Sequence, residues 1–441
     1  MQDAITLTYV LDKAYKILST YTLCDNCLGR LFAGLGRGLS NEERGRSIKV
    51  LLAMEIHRLL QENLVEVKDI PPKLLSSIQP LADKILESLG APRPVLEEDT
   101  CYICGNKIKD FINEFAEEAA TRLTELEASS FLIGVRIPQE MLEKENEISQ
   151  RFALKYTESI KNEIKREIGK QVQSLTGLKP DFEEPDVVLL VDLGTMSIYP
   201  TINPIFLKGR YKKLARNISQ SIWVTPKGKK YPLSVEEALN SITEELGASR
   251  VVLHAAGRED VDARMLCKGR PFVIEVKRPT RRKIESLKDL EAKINTRYKY
   301  LVEVHLEDYA SRGLVHRYKD EVARTKKKYK ALIYSEEPLV PEELKLLENY
   351  FSKNNGVIVS QRTPTRVLHR RPDIVRKRRV YGVRIKSITS NVIEALIHAD
   401  GGLYIKELIN GDNGRTKPSF SEMLGKPLTC LKLDVIEVTL Y

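Results

Sequence analysis

Gly257-Arg258-Glu259-Asp260-Val261-Asp262-Ala263-Arg264-Met265-Leu266 places three acids and two bases on one short turn. Apolar segments flank it: Ser249-Arg250-Val251-Val252-Leu253-His254 before and, past the break Lys268-Gly269-Arg270, Pro271-Phe272-Val273-Ile274-Glu275-Val276 after. Both flanks read as strands. Charged residues on a turn inside a sheet are costly unless they are solvated or paired with one another. A carboxylate held there against an arginine is placed for chemistry on a molecule entering from outside. The plainer alternative is a solvated hairpin loop.

Outward from this turn, strand-like runs separated by Gly and Pro follow at 250–255, 261–267, 271–277, 299–306, 331–335, 356–360, 380–388 and 434–440. Helical patterns intervene at 235–246 and 341–353. This predicts an α+β domain on a mostly antiparallel sheet over 201–441. Upstream, helical spacing dominates: Thr8–Leu18, then a helix opened by the capping box Ser40-Asn41-Glu42-Glu43. Pro71-Pro72 and Pro92-x-Pro94 punctuate this helical region, taken as 1–105. Over 106–200 the order is helix (Asp110–Leu126), strand (Ser129–Ile137), long polar helix (Gln139–Leu175) and buried strand (Val187–Val191), an α/β module. The chain thus reads as multi-domain α+β, with 441 residues too many for one ordinary core.

The composition, 42% hydrophobic and 30% charged with mean hydropathy −0.29, is that of a soluble protein. No apolar run is long enough to cross a bilayer. Met1-Gln2-Asp3-Ala4 lacks the features of a signal peptide, so a cytoplasmic location is expected. The formal charge of +10 is unevenly spread. Lys208, Arg210, Lys212, Lys213, Arg216, Lys227, Lys229 and Lys230 crowd 206–230 without an acid, around Tyr211 and Trp223. A second run, Arg362 to Lys386, sets ten cations against Asp373. One-signed clusters with aromatics among them favour a nucleic-acid backbone over a merely solvated surface, and Lys208, Arg210, Lys212, Lys213 and Arg216 are the candidate contacts.

Cys24-Asp25-Asn26-Cys27 and Cys101-Tyr102-Ile103-Cys104 are two CxxC knuckles. Together they predict a Cys₄ structural zinc site, here tying helical segments together across 73 residues. A redox pair lacks its usual βαβ setting, and disulfides are unexpected in the cytosol. Cys267 and Cys430, isolated in apolar runs, read as core residues.

The turn at 257–266 resembles the Arg-x-Asp signature of pseudouridine synthases, in the version of the archaeal and eukaryotic "Pus ten" tRNA enzymes. Lys328-Tyr329-Lys330-Ala331-Leu332-Ile333 is similar to the segment that supplies an aromatic stacked on the flipped uracil. Gly401-Gly402-Leu403-Tyr404-Ile405-Lys406-Glu407-Leu408 resembles the element whose basic residue pairs with the catalytic aspartate. Gln361-Arg362-Thr363-Pro364-Thr365-Arg366-Val367 and Gly411-Asp412-Asn413-Gly414-Arg415-Thr416-Lys417-Pro418-Ser419 match the same catalytic domain. The resemblance implies a THUMP-like RNA-binding module over 106–200 and a pseudouridine synthase domain over 201–441. It implies isomerisation of uridine 54, uridine 55 or both in the T arm of tRNA; that reaction has no redox change and no group transfer, so no catalytic cofactor is expected, and no obligatory protein partner is evident in the sequence.

Carried over by residue, Asp260 is the catalytic aspartate, Tyr329 the stacking aromatic and Lys406 the charge partner. Tyr404, two positions before Lys406 on one strand face, closes the pocket, and Arg258 contacts substrate. Lys406 stands where the family has arginine, keeping the charge without the two-pronged geometry. Asp262, two positions from Asp260, could share its face; it is read as a support, paired with Arg264. Two other classes remain open: a non-catalytic zinc-containing RNA-binding or assembly protein, and a metal-dependent nuclease using Asp260, Asp262, Glu275 and Lys277.

Overall fold

The structure, a computed structural model, describes residues 9–91, 100–321, 325–352 and 355–439. The expected Pro92-x-Pro94 break, the first eight residues and position 440 lie outside them. The chain forms two compact units, Met1–Asn203 and Pro204–Tyr441.

The first unit begins with helices α1 (Tyr9–Leu18), α2 (Asp25–Arg30), α3 (Asn41–Gln61), α4 (Pro72–Ser77) and α5 (Leu81–Ser88). The Ser40 capping box opens α3, and Pro72 sits in the first turn of α4. Helix α6 (Ile108–Glu125) leads to β1 (Ser130–Arg136), α7 (Gln139–Arg151), α8 (Ile160–Thr176), β2 (Lys179–Pro180), β3 (Val187–Asp192) and β4 (Ser197–Ile202). The sheet order is β2-β1-β3-β4, parallel except for the β3–β4 hairpin. The long helix expected over Gln139–Leu175 is two helices. Ala153 takes a left-handed backbone, and Ser159 caps α8 by accepting from the Asn162 amide. One apolar core spans the unit, joining Leu18, Leu28 and Leu74 to Phe115, Phe131, Ile164 and Leu189. Regions 1–105 and 106–200 therefore fold together. Fully buried Arg30 crosses between them, donating to Glu145 (2.8 Å) and Glu163 (2.9 Å).

The second unit wraps helices around a ten-stranded sheet. In chain order it has β5 (Ile205–Lys213), β6 (Val224–Thr225), β7 (Gly228–Lys229), α9 (Val235–Asn240), α10 (Thr243–Leu246), β8 (Arg250–Ala255) and β9 (Arg264–Lys277). There follow α11 (Leu287–Arg297), β10 (Val302–Tyr309), α12 (Arg312–Glu321), β11 (Lys326–Ser335), α13 (Pro341–Phe351) and β12 (Val357–Arg362). The unit ends with β13 (Val375–Ser387), β14 (Val392–Asp400), α14 (Ile405–Asn410), β15 (Thr416–Lys417), α15 (Phe420–Leu424) and β16 (Leu428–Thr439). The main path runs β10-β5-β9-β16-β11-β14-β13-β12-β15, antiparallel except for the β16–β9 contact. Helices α11 and α12 and strand β14 were not read from the sequence.

Strand β9 organises this unit. Its first residues, Arg264 and Met265, pair with β16, and its later half pairs with β8 along the same edge. Between them Cys267 and Gly269 take left-handed backbone, so the expected break is a bulge within one strand rather than a gap between two. A side chain at Gly269 would meet the Tyr211 carbonyl oxygen at 2.7 Å. Where β8 and β16 part from one another, the sheet opens into a cavity of about 690 Å³, walled by Ala255, Arg270, Lys327, Tyr329, Leu433 and Val435. Cys267 is exposed on the bulge and so is not a core residue, whereas Cys430 is half-buried and packs against the core.

Candidate active site

The charged turn is a loop, residues 256–263, connecting β8 to β9 beside this cavity. Glu259 turns inward and is almost wholly buried. It accepts from Arg270 Nε at 2.8 Å and from the Tyr211 hydroxyl at 3.0 Å. Arg270 also donates to the Ala256 carbonyl. Gln220 Nε2 joins Tyr211 to the Gly257 carbonyl. Burial opposes the Glu259 charge, but Arg270 and Lys213 outweigh it and hold its carboxyl below the usual carboxylate range. Lys213, 3.8 Å from Glu259, donates to the carbonyls of Ile218, Asp260 and Val261. Burial pushes its ammonium down to about 8. Lys213 is therefore a clamp beneath the loop and, with no exposed surface, does not reach a phosphate.

With Glu259 anchored inward, Asp260 faces the cavity. Arg366 grips it in a two-pronged contact, Nη1–Oδ1 3.2 Å and Nη2–Oδ2 2.9 Å. Arg366 Nε in turn donates at 2.6 Å to Glu407, buried on α14. Burial opposes the guanidinium charge, but Glu407 and Asp260 more than offset it and raise its pKa above the arginine range. Lys406, expected to pair with Asp260, makes a long ion pair with it at 4.0 Å and a shorter one with Asp262, to which it donates at 2.5 Å. Tyr404 is the N-cap of α14, not a strand residue, so Lys406 lies in the first turn of a helix rather than on a shared strand face. Asp262 does not pair with Arg264, which is taken by Asp434 on β16.

Sequence reasoning quoted Arg366 within a matching segment but gave it no role. The segment rides on a short 3₁₀ turn, Thr365–Arg370, held by the downstream motif. Asp412 accepts from the Thr365 amide, and Arg415 donates to the Thr363 carbonyl. Gln361 exchanges hydrogen bonds with the Tyr404 backbone. The Tyr404 hydroxyl accepts from Arg371, and its ring lies 5.9 Å from the Arg366 guanidinium. Tyr329, 6% exposed, lines the cavity from β11, and burial raises its phenol well above the tyrosine range. Arg258 is exposed at the rim, with its guanidinium 5.7 Å from the Trp223 ring.

The first basic run is largely neutralised by its neighbour strand. Lys208, Arg210 and Lys212 point outward from β5 opposite Asp308 (3.9 Å), Glu307 (3.3 Å) and Glu303 (2.6 Å) of β10. Arg216 is held by Asp434 and two carbonyls. Arg371, Arg376 and Arg378 of the second run line the cavity, bonded to hydroxyls and carbonyls rather than to acids. The second run thus supplies cations to the cavity wall, beside Arg258, Arg270 and Lys327.

Glu275 pairs with His254 and Lys277 near the far end of β9 from the charged turn. Among the described residues the four cysteines are the group of three or more His, Cys, Asp or Glu whose ligand atoms converge. The acid cluster of a nuclease is not assembled. Cys24, Cys27, Cys101 and Cys104 hold their sulfurs within 4.8 Å of one another, close to the roughly 3.8 Å edge of a tetrahedron with metal–sulfur bonds of about 2.3 Å. Arg30 Nη1 and Nη2 each lie 3.6 Å from Cys27 Sγ. The donor set fits a structural metal ion. No helix among the described residues is long and apolar enough to cross a membrane.

Such a site suits an enzyme that works on a single nucleotide drawn into a basic cavity. The family model "Pus10, C-terminal" matches residues 206–439, and "Pus10 THUMP domain, archaeal" matches 115–192. The tRNA pseudouridine synthase Pus10 of Ignisphaera aggregans is 42% identical over 98% of this chain and 99% of its own. That of Aeropyrum pernix is 43% identical, covering 97% of each. A chain in the crystal structure of a Cbf5–Nop10–Gar1 complex overlaps at 14% identity and a TM-score of 0.28, covering 51% of this chain and 48% of that one. The chain belongs to the Pus10 family, and it is a tRNA pseudouridine synthase that isomerises uridine.

Removing Glu259 leaves Arg270 and Lys213 buried without their counter-charge. Glu259→Ala should lower unfolding stability by about 3–5 kcal/mol, the usual cost of breaking a buried ion pair. A denaturant titration showing less than about 1 kcal/mol of loss would mean that the cluster does not hold the loop.

Proposed function

We propose that Asp260 acts at the ribose C1′ of a uridine flipped into the cavity. The Arg366–Asp260 grip at the rim of a basic cavity walled by Tyr329 carries this reading. Isomerisation breaks the N1–C1′ bond, turns the base and rejoins it through C5. Nothing is oxidised or transferred away, so the reaction calls for no catalytic cofactor. A carboxylate serves as nucleophile at C1′ or as the charge that stabilises it. Arg366 orients that carboxylate by its two-pronged geometry, and Tyr329 offers an aromatic face that offsets part of the cost of unstacking the base. Tyr404 and Arg258 flank the entrance, and Lys406 orders Asp262. The target we infer from the family resemblance is the T arm, at uridine 54, uridine 55 or both.

Asp260→Asn keeps the shape and removes the charge. It should abolish pseudouridine formation while tRNA affinity stays within about threefold of wild type, because the cations rather than this carboxylate carry binding. Asp262→Asn and Lys406→Met should retain measurable activity. Arg366→Met should lower the rate by about 10²-fold or more, as loss of an aligned catalytic group does. An active Asp260→Asn beside an inactive Asp262→Asn would assign the chemistry to the wrong aspartate.

The RNA path follows the second basic run. Replacing Arg371, Arg376 and Arg378 together by Ala should flatten the dependence of log K on log salt by about 2, at about 0.7 per single-strand phosphate contact. Neutralising Lys208, Arg210 and Lys212 should change that slope little, because Asp308, Glu307 and Glu303 already balance them. Equal effects of the two triple replacements would contradict this path. Trp223, the single tryptophan, stands at the rim beneath Arg258 and Lys230. Its fluorescence should change saturably on titration with a T-arm stem–loop; unchanged emission would put the strand elsewhere.

We infer that the ion at the four cysteines is zinc, which suits an all-thiolate tetrahedral set. Metal analysis should find about one zinc per chain, and Cys101→Ser should release it and lower the melting temperature of the first unit. Four free, reactive thiols and no metal would contradict the assignment.

A further inference from the structure

Lys327 is a lysine that folding alone does not explain. Strand β11 alternates, placing Lys327, Tyr329, Ala331 and Ile333 inward and Lys328 and Lys330 outward. The outward pair meets Glu437 and Glu394. The inward Lys327 is 5% exposed, and its cross-strand neighbours are apolar, Ala399 on β14 and Val438 on β16. Among the described residues no hydrogen-bond acceptor or carboxylate pairs with its ammonium, which lines the cavity beside Tyr329 and Arg270. Burying an unpaired ammonium destabilises a fold by several kcal/mol. A cation kept there, one inward position from the tyrosine proposed to stack the base, is poised for an acceptor that arrives with the substrate.

We propose that the Lys327 ammonium donates to a carbonyl oxygen of the flipped uracil and stabilises the negative charge the base acquires during the reaction. This rests on the cavity being the uridine site. When N1–C1′ breaks, its electron pair leaves with the base and spreads over N1 and the ring carbonyls. The electron-poor C1′ meets the Asp260 carboxylate. After the base turns, C5 supplies the electron pair for the new bond to C1′ and releases the carboxylate. The C5 proton is then lost and N1 takes one up, so protons and electrons balance without a co-reactant. A hydrogen-bond donor fixed where such charge develops acts in the transition state rather than in binding.

The test is single-turnover release of the C5 hydrogen from a stem–loop labelled with tritium at uridine C5, measured with Lys327→Met. The expected result is a rate about 10²- to 10³-fold lower, with RNA affinity within about threefold of wild type. The melting temperature should stay level or rise, because a buried unpaired charge has been replaced by an apolar chain. Burial, and after it the Arg270 charge, lower the lysine to about 7 against the opposing pull of Glu259, so wild-type kcat/KM should fall as pH rises through that value. Asp260, Arg366, Tyr329 and the β13 arginines face the same cavity, so the assignment requires that this alkaline limb vanish in Lys327→Met, at a low rate, and also in Lys327→Arg, whose guanidinium keeps its charge through this range and should retain part of the rate. A rate within threefold of wild type would overturn the proposal. So would a parallel loss of affinity and rate, which would make Lys327 a phosphate contact, or a lower melting temperature, which would make it a support of the fold. An active Asp260→Asn would instead overturn the reading of the cavity itself.

Discussion

Buried Glu259 is the residue on which the site depends. Its carboxylate is shared among Arg270, Tyr211 and the nearby Lys213, all of them inside the protein. Taken alone, such a cluster is a weak source of stability, because removing charges from water costs about as much as their attraction returns. What it contributes is a single loop conformation. With Glu259 inward and Lys213 bonded to the carbonyls of Asp260 and Val261, the next side chain has one direction left, toward the cavity. The alternation that sequence reading assigned to Asp260 and Asp262 is replaced by a clamp.

Arg366 completes what the clamp begins. It reaches Asp260 with two nitrogens and Glu407 with a third, a geometry open to a planar guanidinium and not to an ammonium. Three stretches far apart in the chain therefore have to meet: the 257–263 loop, the 361–371 turn and the 401–419 segment. Hydrogen bonds from Thr365 to Asp412, from Arg415 to Thr363 and between Gln361 and Tyr404 hold the last two together. Within the Gly411–Ser419 motif, Asp412 and Arg415 thus brace the turn that carries the arginine.

Much of the architecture was legible. The β8 run and the helices after Ser40 and Val340 lie where apolar spacing and caps put them, because those signals are local. Alternation was also informative where it was not followed through. Tyr211 and Lys213 share the inward face of β5, so Lys213 was never a surface cation. The acids that neutralise Lys208, Arg210 and Lys212 lie about ninety residues downstream on a strand paired by tertiary folding, beyond what a local charge count can register. The closer contact of Lys406 with Asp262 was not foreseen, because Tyr404 and Lys406 were read on one strand face, whereas Tyr404 opens a helix. The helical and α/β regions of the first unit share one apolar core, and Arg30 bonds to both α7 and α8.

The central claim is that a uridine enters the cavity and meets Asp260 there. A crystal structure of Asp260→Asn bound to a uridine-containing T-arm stem–loop tests it directly. The account predicts the uracil ring against Tyr329, with the ribose C1′ about 3–3.5 Å from the substituted side chain, the separation of a reactive encounter. A flipped base lodged outside the cavity, or a C1′ facing Asp262 instead, would contradict it.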